Sequence, residues 1–171
     1  DIKVLMNSLQ RENTKVQETQ AKIQHLAHHD TLTNLPNRLY GEDIFNRELA
    51  VAGSRKQILA LFFIDLDNFK PVNDALGHAA GDELLLQLTA RLDKVLDKTQ
   101  SLVRFGGDEF LVIARFDTKD ESIDDLAKRV IQNCSSTFNI MQTQVVVSAS
   151  VGIALAPEHG NEFKTLCRKE E

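Results

Sequence analysis

The stretch Leu102-Val103-Arg104-Phe105-Gly106-Gly107-Asp108-Glu109-Phe110 decides the fold class of this chain of 171 residues. Apolar residues precede the two glycines, and a second apolar run follows them as far as Arg115. Two such runs around a glycine turn predict a β-hairpin with Gly106 and Gly107 at the turn. The hairpin presents an acidic pair, Asp108 and Glu109, between two apolar strands.

The residues around this hairpin predict the rest of the domain. Ile58 to Ile64 is a continuous apolar run, which is typical of a central strand buried on both faces. Apolar spacing predicts helices from Pro36 to about Ala52, from Ala79 to Leu96 and from Ile123 to Phe138, and a long strand from Val145 to Ala156. This order predicts an α+β, ferredoxin-like sandwich, in which an antiparallel sheet carries helices on one face.

Residues 1–29 differ from the rest because they contain no glycine, proline, Phe, Tyr or Trp. With Ile2 at heptad position a, apolar residues fill every a position and the outer d positions: Ile2, Leu5, Leu9, Val16, Ile23 and Leu26. The pattern favours a parallel two-stranded coiled coil, and the alternative is one amphipathic helix packed on its own domain. We therefore predict a coiled-coil or linker helix over residues 1–29 and a folded domain over residues 30–171.

The composition narrows the classes of function. Twenty Lys and Arg against 25 Asp and Glu give a net charge of −5, which disfavours unassisted binding of nucleic acid. If a polyphosphate binds, a divalent metal would have to bring positive charge. Cys134 and Cys167 lack partners at metal-ligand spacing, and neither a membrane span nor a secretory signal is recognisable. We expect a cytoplasmic domain, whether or not the longer protein is tethered to a membrane.

Two carboxylates, Asp65 and Asp67, directly follow the predicted central strand. A carboxylate beside a core is costly unless it is paired or binds a metal, and residues two apart on a strand share a face. Capping of the next helix would explain Asp67 alone. A calcium loop is excluded, because Phe69 and Lys70 stand where a ligand and a glycine are required.

The predicted topology brings Asp65 near Asp108, since the first strand and the hairpin lie side by side in a ferredoxin-like sheet. Two carboxylates on neighbouring central strands commonly hold one or two Mg²⁺ ions against substrate phosphates. A solvated hairpin tip is the alternative interpretation of Asp108 and Glu109.

Arg104 to Phe110 resembles the signature that names the GGDEF family, the diguanylate cyclases. Other motifs of that family occur in order over residues 28–160: Asp30-Thr31-Leu32-Thr33-Asn34-Leu35-Pro36-Asn37-Arg38, then Phe63 to Asp74, Gly77-His78 and Gly81-Asp82. The resemblance implies a fold similar to the catalytic palm of nucleotidyl cyclases and polymerases. It also implies the conversion of two GTP molecules into cyclic di-GMP and two pyrophosphates.

The resemblance further implies a catalytic centre. Asp65, Asp108 and the backbone carbonyl of Leu66 would hold Mg²⁺ or Mn²⁺. Asp108, or else Glu109, would help to deprotonate the attacking 3′-hydroxyl. Lys70 would stabilise charge on the transferring phosphoryl group, although a surface lysine is the alternative.

Substrate contacts are implied as well. The backbone N–H groups of Asn68 and Phe69 suit phosphates, and His78 matches a substrate-contacting position. Asn73 and Asp82 are assigned to guanine, because a carboxylate can accept from N1–H and the 2-amino group, neither of which adenine offers. Asp82 also fits the first turn of a helix, where the helix dipole favours an acid.

The sequence departs from the family pattern in two places. Residues 161–171 cover only the start of a helix whose later part carries basic residues in the family, so we expect an incomplete C-terminal helix in a fragment of a longer protein. The family's product-inhibition site is R-x-x-D, but the matching window reads Asp97-Lys98-Thr99-Gln100. We therefore expect that site to be absent.

Our main hypothesis is an active cyclase that works as a homodimer and is controlled by an upstream sensor, with a downstream output domain a further option. The intact acids Asp65, Asp108 and Glu109 favour it. A second hypothesis is a non-catalytic GTP-binding module coupled to an EAL-type phosphodiesterase or another output domain. A third, a cyclase that makes cyclic AMP or cyclic GMP, would not need the hairpin motif.

Overall fold

The computed structural model describes residues 1–169. Its elements in chain order are α1 (Ile2–His28), α2 (Arg38–Arg55), β1 (Ile58–Asp67), α3 (Phe69–Leu76), α4 (His78–Val95), β2 (Ser101–Gly106), β3 (Glu109–Phe116), α5 (Glu121–Ser135), β4 (Phe138–Ile140), β5 (Thr143–Val145), β6 (Ser148–Ala156) and α6 (Phe163–Lys169).

The main sheet has the strand order β2-β3-β1-β6, and every neighbouring pair is antiparallel. Strand β1 lies inside the sheet, between β3 and β6, as its apolar run predicts. Its register ends with Asp65 opposite Glu109 of β3 and Asp67 opposite Ser148 of β6. The predicted α+β, antiparallel-sheet class is confirmed.

Helices cover both faces of this sheet, so the expectation of helices on one face is wrong. On one face, Phe62 and Ile64 of β1 pack with buried leucines of α4 and α5 such as Leu88 and Leu126. On the other face, residues of α2 and α6 pack against β1 and its neighbouring strands, and the core there includes Leu59, Leu61, Ile44, Phe45, Phe163 and Leu166. The physical reason lies in β1 itself, because a strand that is apolar on both sides needs cover on both sides.

Several predicted boundaries also change. The apolar run from Val145 to Ala156 is not one strand, because Val145 pairs with Phe138 in a separate hairpin of β4 and β5. Val146 is 66% exposed at the break before β6. Helix α2 begins after Asn37, whose side chain accepts the N–H of Tyr40, and not at Pro36. A capping side chain of this kind fixes where a helix starts.

Helix α1 buries none of its residues. Its apolar stripe is exposed along the whole length, from 76% at Ile2 to 62% at Leu26. The alternative in which this helix packs on its own domain is therefore not found, and the coiled-coil dimer remains a prediction. Within residues 1–169, no helix has the length and apolar character that crossing a membrane requires.

Candidate active site

The hairpin turn between β2 and β3 consists of Gly107 and Asp108. Gly106 still belongs to β2 and lies opposite Glu109, so the predicted turn at Gly106 and Gly107 is wrong by one residue. Gly106 and Gly107 have φ angles of +149° and +46°, values that glycine adopts without strain. These two glycines allow the turn to hold Asp108 at the tip of the hairpin.

The end of β1 lies against this turn. The N–H of Leu66 donates to the carbonyl of Asp108 at 3.1 Å, which brings Asp65 and Asp108 together as the topology predicts. The pKa of Asp65 is raised, chiefly by its partial burial and then by the charges of Asp108 and Asp67. Among residues 1–169, no Lys or Arg forms an ion pair with these acids. The site therefore gathers negative charge that a bound cation would relieve.

The donor set fits a magnesium ion that shares its coordination with a substrate. The described residues contain no cluster of three His, Cys, Asp or Glu side chains suited to a metal. Mg²⁺ commonly binds through one or two carboxylates and completes its shell with water and substrate phosphates. Asp65 and Asp108, with the carbonyl of Leu66, match that smaller requirement.

Asp67 has a different role from Asp65. Its carboxylate accepts hydrogen bonds from the hydroxyls of Ser148 at 3.1 Å and of Ser150 at 3.1 and 3.2 Å, both on β6. The interpretation of Asp67 as the cap of the next helix is therefore wrong. That position belongs to Asn68, which has φ of +66° and makes no side-chain capping bond.

The start of α3 consequently leaves backbone N–H groups free of any capping side chain. These are the groups of the helix N-terminus that Asn68 and Phe69 begin, and such groups can donate to phosphates. Lys70 is exposed in the first turn and belongs to none of the ion pairs within residues 1–169. The predicted phosphate-contacting residues thus lie directly after the acidic end of β1.

Asn73 of α3 lies against Gly81 of α4, the residue before Asp82. A Cβ atom at Gly81 would lie only 1.6 Å from Oδ1 of Asn73, so the two residues are in direct contact. This Oδ1 is buried and has no hydrogen-bond partner. Asp82 is the next residue on α4 and is exposed, as is His78 at the start of the same helix. A buried acceptor without a partner beside an exposed carboxylate offers hydrogen-bonding capacity to a ligand.

Asp30 and Arg104 each lie in a family motif of the sequence, but no role was predicted for either residue. In the structure Arg104 donates to the carboxylate of Asp30 at 2.8 Å and to the carbonyl of Gly107 at 2.9 Å. Burial opposes ionisation of Asp30, but hydrogen bonds from Thr33 and Arg104 outweigh it and lower the pKa of Asp30. The sequence signal for this ion pair is an acid in one family motif and a basic residue in another.

A cavity of about 330 Å³ opens beside Asp65 and Glu109. Its lining includes the acids Asp65 and Glu109, together with Arg38, Phe63 and Phe105. Arg38 lies over the ring of Phe105, with its guanidinium carbon 4.8 Å from the ring centroid. Arg38 is the last residue of the motif that begins at Asp30, and no function was predicted for it from the sequence.

Comparison with known protein families identifies the family of the chain. The family described as diguanylate cyclase, GGDEF domain, matches residues 27–171. The chain belongs to the GGDEF family. This GGDEF domain is 36% identical over 162 residues to diguanylate cyclase TpbB of Pseudomonas aeruginosa, covering 94% of the chain. It is 38% identical over 155 residues to cyclic di-GMP phosphodiesterase PdeR of Escherichia coli, covering 91% of the chain.

Solved structures show the same fold. The GGDEF domain of P. aeruginosa TpbB superposes with a TM-score of 0.76 at 36% identity, over 82% of this chain and 83% of that one. The coiled coil and GGDEF domain of DgcB from Caulobacter crescentus gives a TM-score of 0.84 at 22% identity, over 98% and 88% of the two chains. The present chain spans 37% of the length of TpbB and 23% of PdeR.

Residues 97–100, which stand where other members of the family have the R-x-x-D motif, form a turn closed by their own hydrogen bonds. Oδ1 of Asp97 accepts from the backbone N–H of Thr99 at 2.8 Å and from its hydroxyl at 2.6 Å. The side chain of Gln100 accepts from the N–H of Asp97 at 3.1 Å. These side chains are therefore engaged with each other and with the local backbone.

Proposed function

We propose that the protein is a diguanylate cyclase, which condenses two molecules of GTP into cyclic di-GMP and releases two pyrophosphates. The observation that carries the proposal is the meeting of Asp65 and Asp108 without a neutralising cation, at the hairpin of a GGDEF domain. Such a pair is suited to a divalent ion and to phosphates.

Asp65, Asp108 and the carbonyl of Leu66 would hold Mg²⁺ or Mn²⁺. The ion supplies positive charge that offsets the charge of the phosphates, which a chain of net charge −5 otherwise lacks. The raised pKa of Asp65 supports this assignment, because its partial burial and then the charges of Asp108 and Asp67 disfavour the ionised carboxylate, and a bound cation would offset that penalty.

The remaining chemistry falls to side chains and backbone groups around the two acids. Asp108, or else Glu109, accepts the proton of the attacking 3′-hydroxyl. Lys70 stabilises charge on the transferring phosphoryl group, and the N–H groups of Asn68 and Phe69 hold phosphate oxygens. The absence of a capping side chain at the start of α3 supports the last role.

Asn73 and Asp82 recognise guanine, and His78 contacts the substrate nearby. Oδ1 of Asn73 is a buried acceptor without a partner, which a donor on the base would satisfy. The exposed carboxylate of Asp82 accepts from N1–H and the 2-amino group. Adenine lacks both donors, and the unsatisfied acceptors would then disfavour ATP.

The reaction needs a homodimer. Each domain holds one GTP, so two copies must face each other before the 3′-hydroxyl of one nucleotide reaches the α-phosphate of the other. The exposed stripe of α1 from Ile2 to Leu26 supports pairing of this helix with its copy. Further segments of a longer protein would act on the domain through the same helix.

A second candidate is a non-catalytic GTP-binding module that regulates an attached phosphodiesterase. Its support is the similarity to PdeR, which is named a cyclic di-GMP phosphodiesterase. The intact acids Asp65, Asp108 and Glu109 favour the cyclase, because a module that only binds GTP does not require all of them.

The deciding experiment is incubation of the protein with GTP and Mg²⁺, followed by identification of the products by mass spectrometry. We expect cyclic di-GMP and pyrophosphate, and no product from ATP. An Asp108→Ala protein is the control for contaminating activity. GTP that binds tightly but stays unchanged would instead support the regulatory module, and cyclic GMP would support a different cyclase.

A further inference from the structure

The cavity beside Asp65 and Glu109 is lined by one basic residue, Arg38, among the residues that the structure describes. Arg38 is the first residue of α2 and lines the same cavity as Asp65 and Glu109. It is exposed, and within residues 1–169 it takes part in no ion pair and no side-chain hydrogen bond. Its N–H donors are therefore free for a ligand.

Phe105 holds this cation in place. The guanidinium carbon of Arg38 lies 4.8 Å from the centroid of the Phe105 ring, a distance at which the ring attracts the cation. Phe105 is itself packed edge-on against Phe63 and Phe163, with centroid distances of 6.2 and 5.9 Å. A planar fork fixed on a packed ring loses less conformational freedom when it binds an anion.

The charge around Arg38 continues outside the cavity. Arg38 also lines an open groove between α2 and α6, together with Lys164, Arg168 and the acid Glu42. Three cations against one acid make this groove positive in a chain whose net charge is −5. The groove and the cavity meet at Arg38 and Cys167, which line both of them.

We propose that Arg38 binds the terminal phosphates of GTP, and that it thereby makes the site select a triphosphate over a monophosphate. The inference rests on the proposed function. The acids of β1 and the hairpin attract a metal-bound phosphate, while Arg38 lines both the cavity that contains Asp65 and Glu109 and the positive groove. A guanidinium can donate two parallel hydrogen bonds to phosphate oxygens, which suits a chain of phosphates that runs from the acids to α2.

The test is a binding measurement that does not depend on turnover. Isothermal titration calorimetry with Mg²⁺ would compare GMP with a GTP analogue that has a methylene group between the α- and β-phosphates and cannot release pyrophosphate. Arg38→Gln should weaken binding of the analogue by about 10- to 100-fold, the range for a charged hydrogen-bonding contact. Binding of GMP should change by less than about twofold, since GMP has no terminal phosphates.

Arg47→Gln is the matched control. Arg47 is exposed on the same helix, so this variant loses the same charge away from the cavity, and both affinities should stay at the wild-type values. Phe105→Leu removes the ring but keeps the cation, and it should weaken the analogue less than Arg38→Gln does. Equal losses for GMP and the analogue in Arg38→Gln, with a lower melting temperature, would mean that Arg38 only supports the hairpin, and the inference would be wrong.

The outcomes also separate this inference from the proposed function. Wild-type affinity for the analogue in Arg38→Gln, in a protein that makes cyclic di-GMP, would overturn the role of Arg38 alone. The expected selective loss in a wild-type protein that forms no product would overturn the cyclase and retain the triphosphate contact. A wild-type protein that binds neither nucleotide would overturn both.

Discussion

The carboxylate of Asp30 and the guanidinium of Arg104 lie 2.8 Å apart, although 74 positions separate them in the sequence. The same guanidinium donates to the carbonyl of Gly107, in the turn that carries Asp108. Asp30 is the second residue after the end of α1, so one side chain connects the end of that helix to the hairpin between β2 and β3. Arg104 therefore joins Asp30 directly to the turn that contains Asp108.

Asp30→Asn should therefore disturb the hairpin. The amide keeps the shape of the side chain but removes the charge, and the pair is mostly shielded, at 11% and 20% side-chain exposure. Leaving Arg104 partly unpaired should destabilise the fold by about 1–3 kcal/mol and should lower turnover. Urea denaturation and a turnover assay would measure both, with Glu158→Gln at the exposed ion pair to Lys119 as the control.

The stability contributed by Asp30 should depend on pH in a defined direction. Its folded pKa is lower than the ordinary value of 3.8. The contribution is therefore fully present above that ordinary value and is lost as the pH falls through the folded pKa. The difference in unfolding free energy between wild type and Asp30→Asn should shrink below about pH 4, and a difference that grew toward acid would contradict the assignment.

Asp65→Asn should separate stability from activity. The pKa of Asp65 is raised, so its ionised form opposes folding at neutral pH, and the neutral amide removes that penalty. Because the side chain is exposed, solvent screening limits the gain to less than about 1 kcal/mol. Turnover should fall below about a tenth of the wild-type rate, since the carboxylate that we propose as a metal ligand is lost.

Thermal unfolding with and without Mg²⁺ gives the matching control. The ion should raise the melting temperature of the wild-type protein and have a smaller effect on Asp65→Asn, because a ligand stabilises only the state that binds it. An Asp65→Asn protein that retains most of its turnover would show that this carboxylate does not hold the metal.

Gly81→Ala should act on nucleotide selectivity through Asn73. The new Cβ would lie 1.6 Å from Oδ1 and 2.7 Å from Cγ of Asn73, so that side chain must move. We expect KM for GTP to rise by about tenfold or more, since one guanine contact is lost, while the fold survives because only a flexible side chain is displaced. Gly53→Ala is the control, because nothing lies within 4 Å of a Cβ there. Unchanged discrimination between GTP and ATP would remove Asn73 from the base site.

Much of the domain could be predicted because its signals are local. The apolar run of β1, the glycines of the hairpin and the acids beside them each carry a recognisable pattern within a few residues. The apolar run of β1 indicated cover on both of its faces. Which helices provide that cover could not be predicted, because nothing in the local pattern says which face α2 covers. The break at Val146 was hidden for a similar reason, since Val145 and Ala156 belong to one apolar run but to two sheets.

Contacts between distant residues were the hardest to foresee. Asp30 with Arg104, Asn73 with Gly81 and Asp67 with Ser148 and Ser150 all join separate elements. Each residue alone has an ordinary local explanation, such as a turn or a helix cap. Only the packing of the elements shows which partner each side chain has.

The exposed stripe of α1 leads to a prediction about protein concentration. If two domains must meet, specific activity should increase with protein concentration, and deletion of residues 1–26 should reduce it most at high dilution. Ile23→Lys, at a stripe position with 60% exposure, should have the same effect, while the adjacent Gln24→Lys should not. Analytical ultracentrifugation would check the association. Specific activity that is constant on dilution for every variant would contradict a dimer held by this helix.

The turn at Asp97 predicts a cyclase without product inhibition at the usual position. An R-x-x-D site holds the product through arginine contacts to phosphate and guanine and an aspartate contact to the guanine edge. Here Asp97 places a negative charge where the arginine would be, and hydrogen bonds, first that from the side chain of Thr99, lower its pKa. Asp97 therefore stays ionised at neutral pH and repels the phosphates of the product.

Added cyclic di-GMP should therefore leave the turnover of the unmodified protein unchanged, and Asp97→Arg combined with Gln100→Asp should install inhibition. Lys98→Arg combined with Gln100→Asp is the matched control, because an arginine one position away points elsewhere and should not create the site. Initial rates of pyrophosphate release across a range of added product would measure this. Inhibition of the unmodified protein that survives changes at residues 97–100 would place feedback on another surface. Inhibition that those changes abolish would mean that Asp97 and Gln100 bind the product after all.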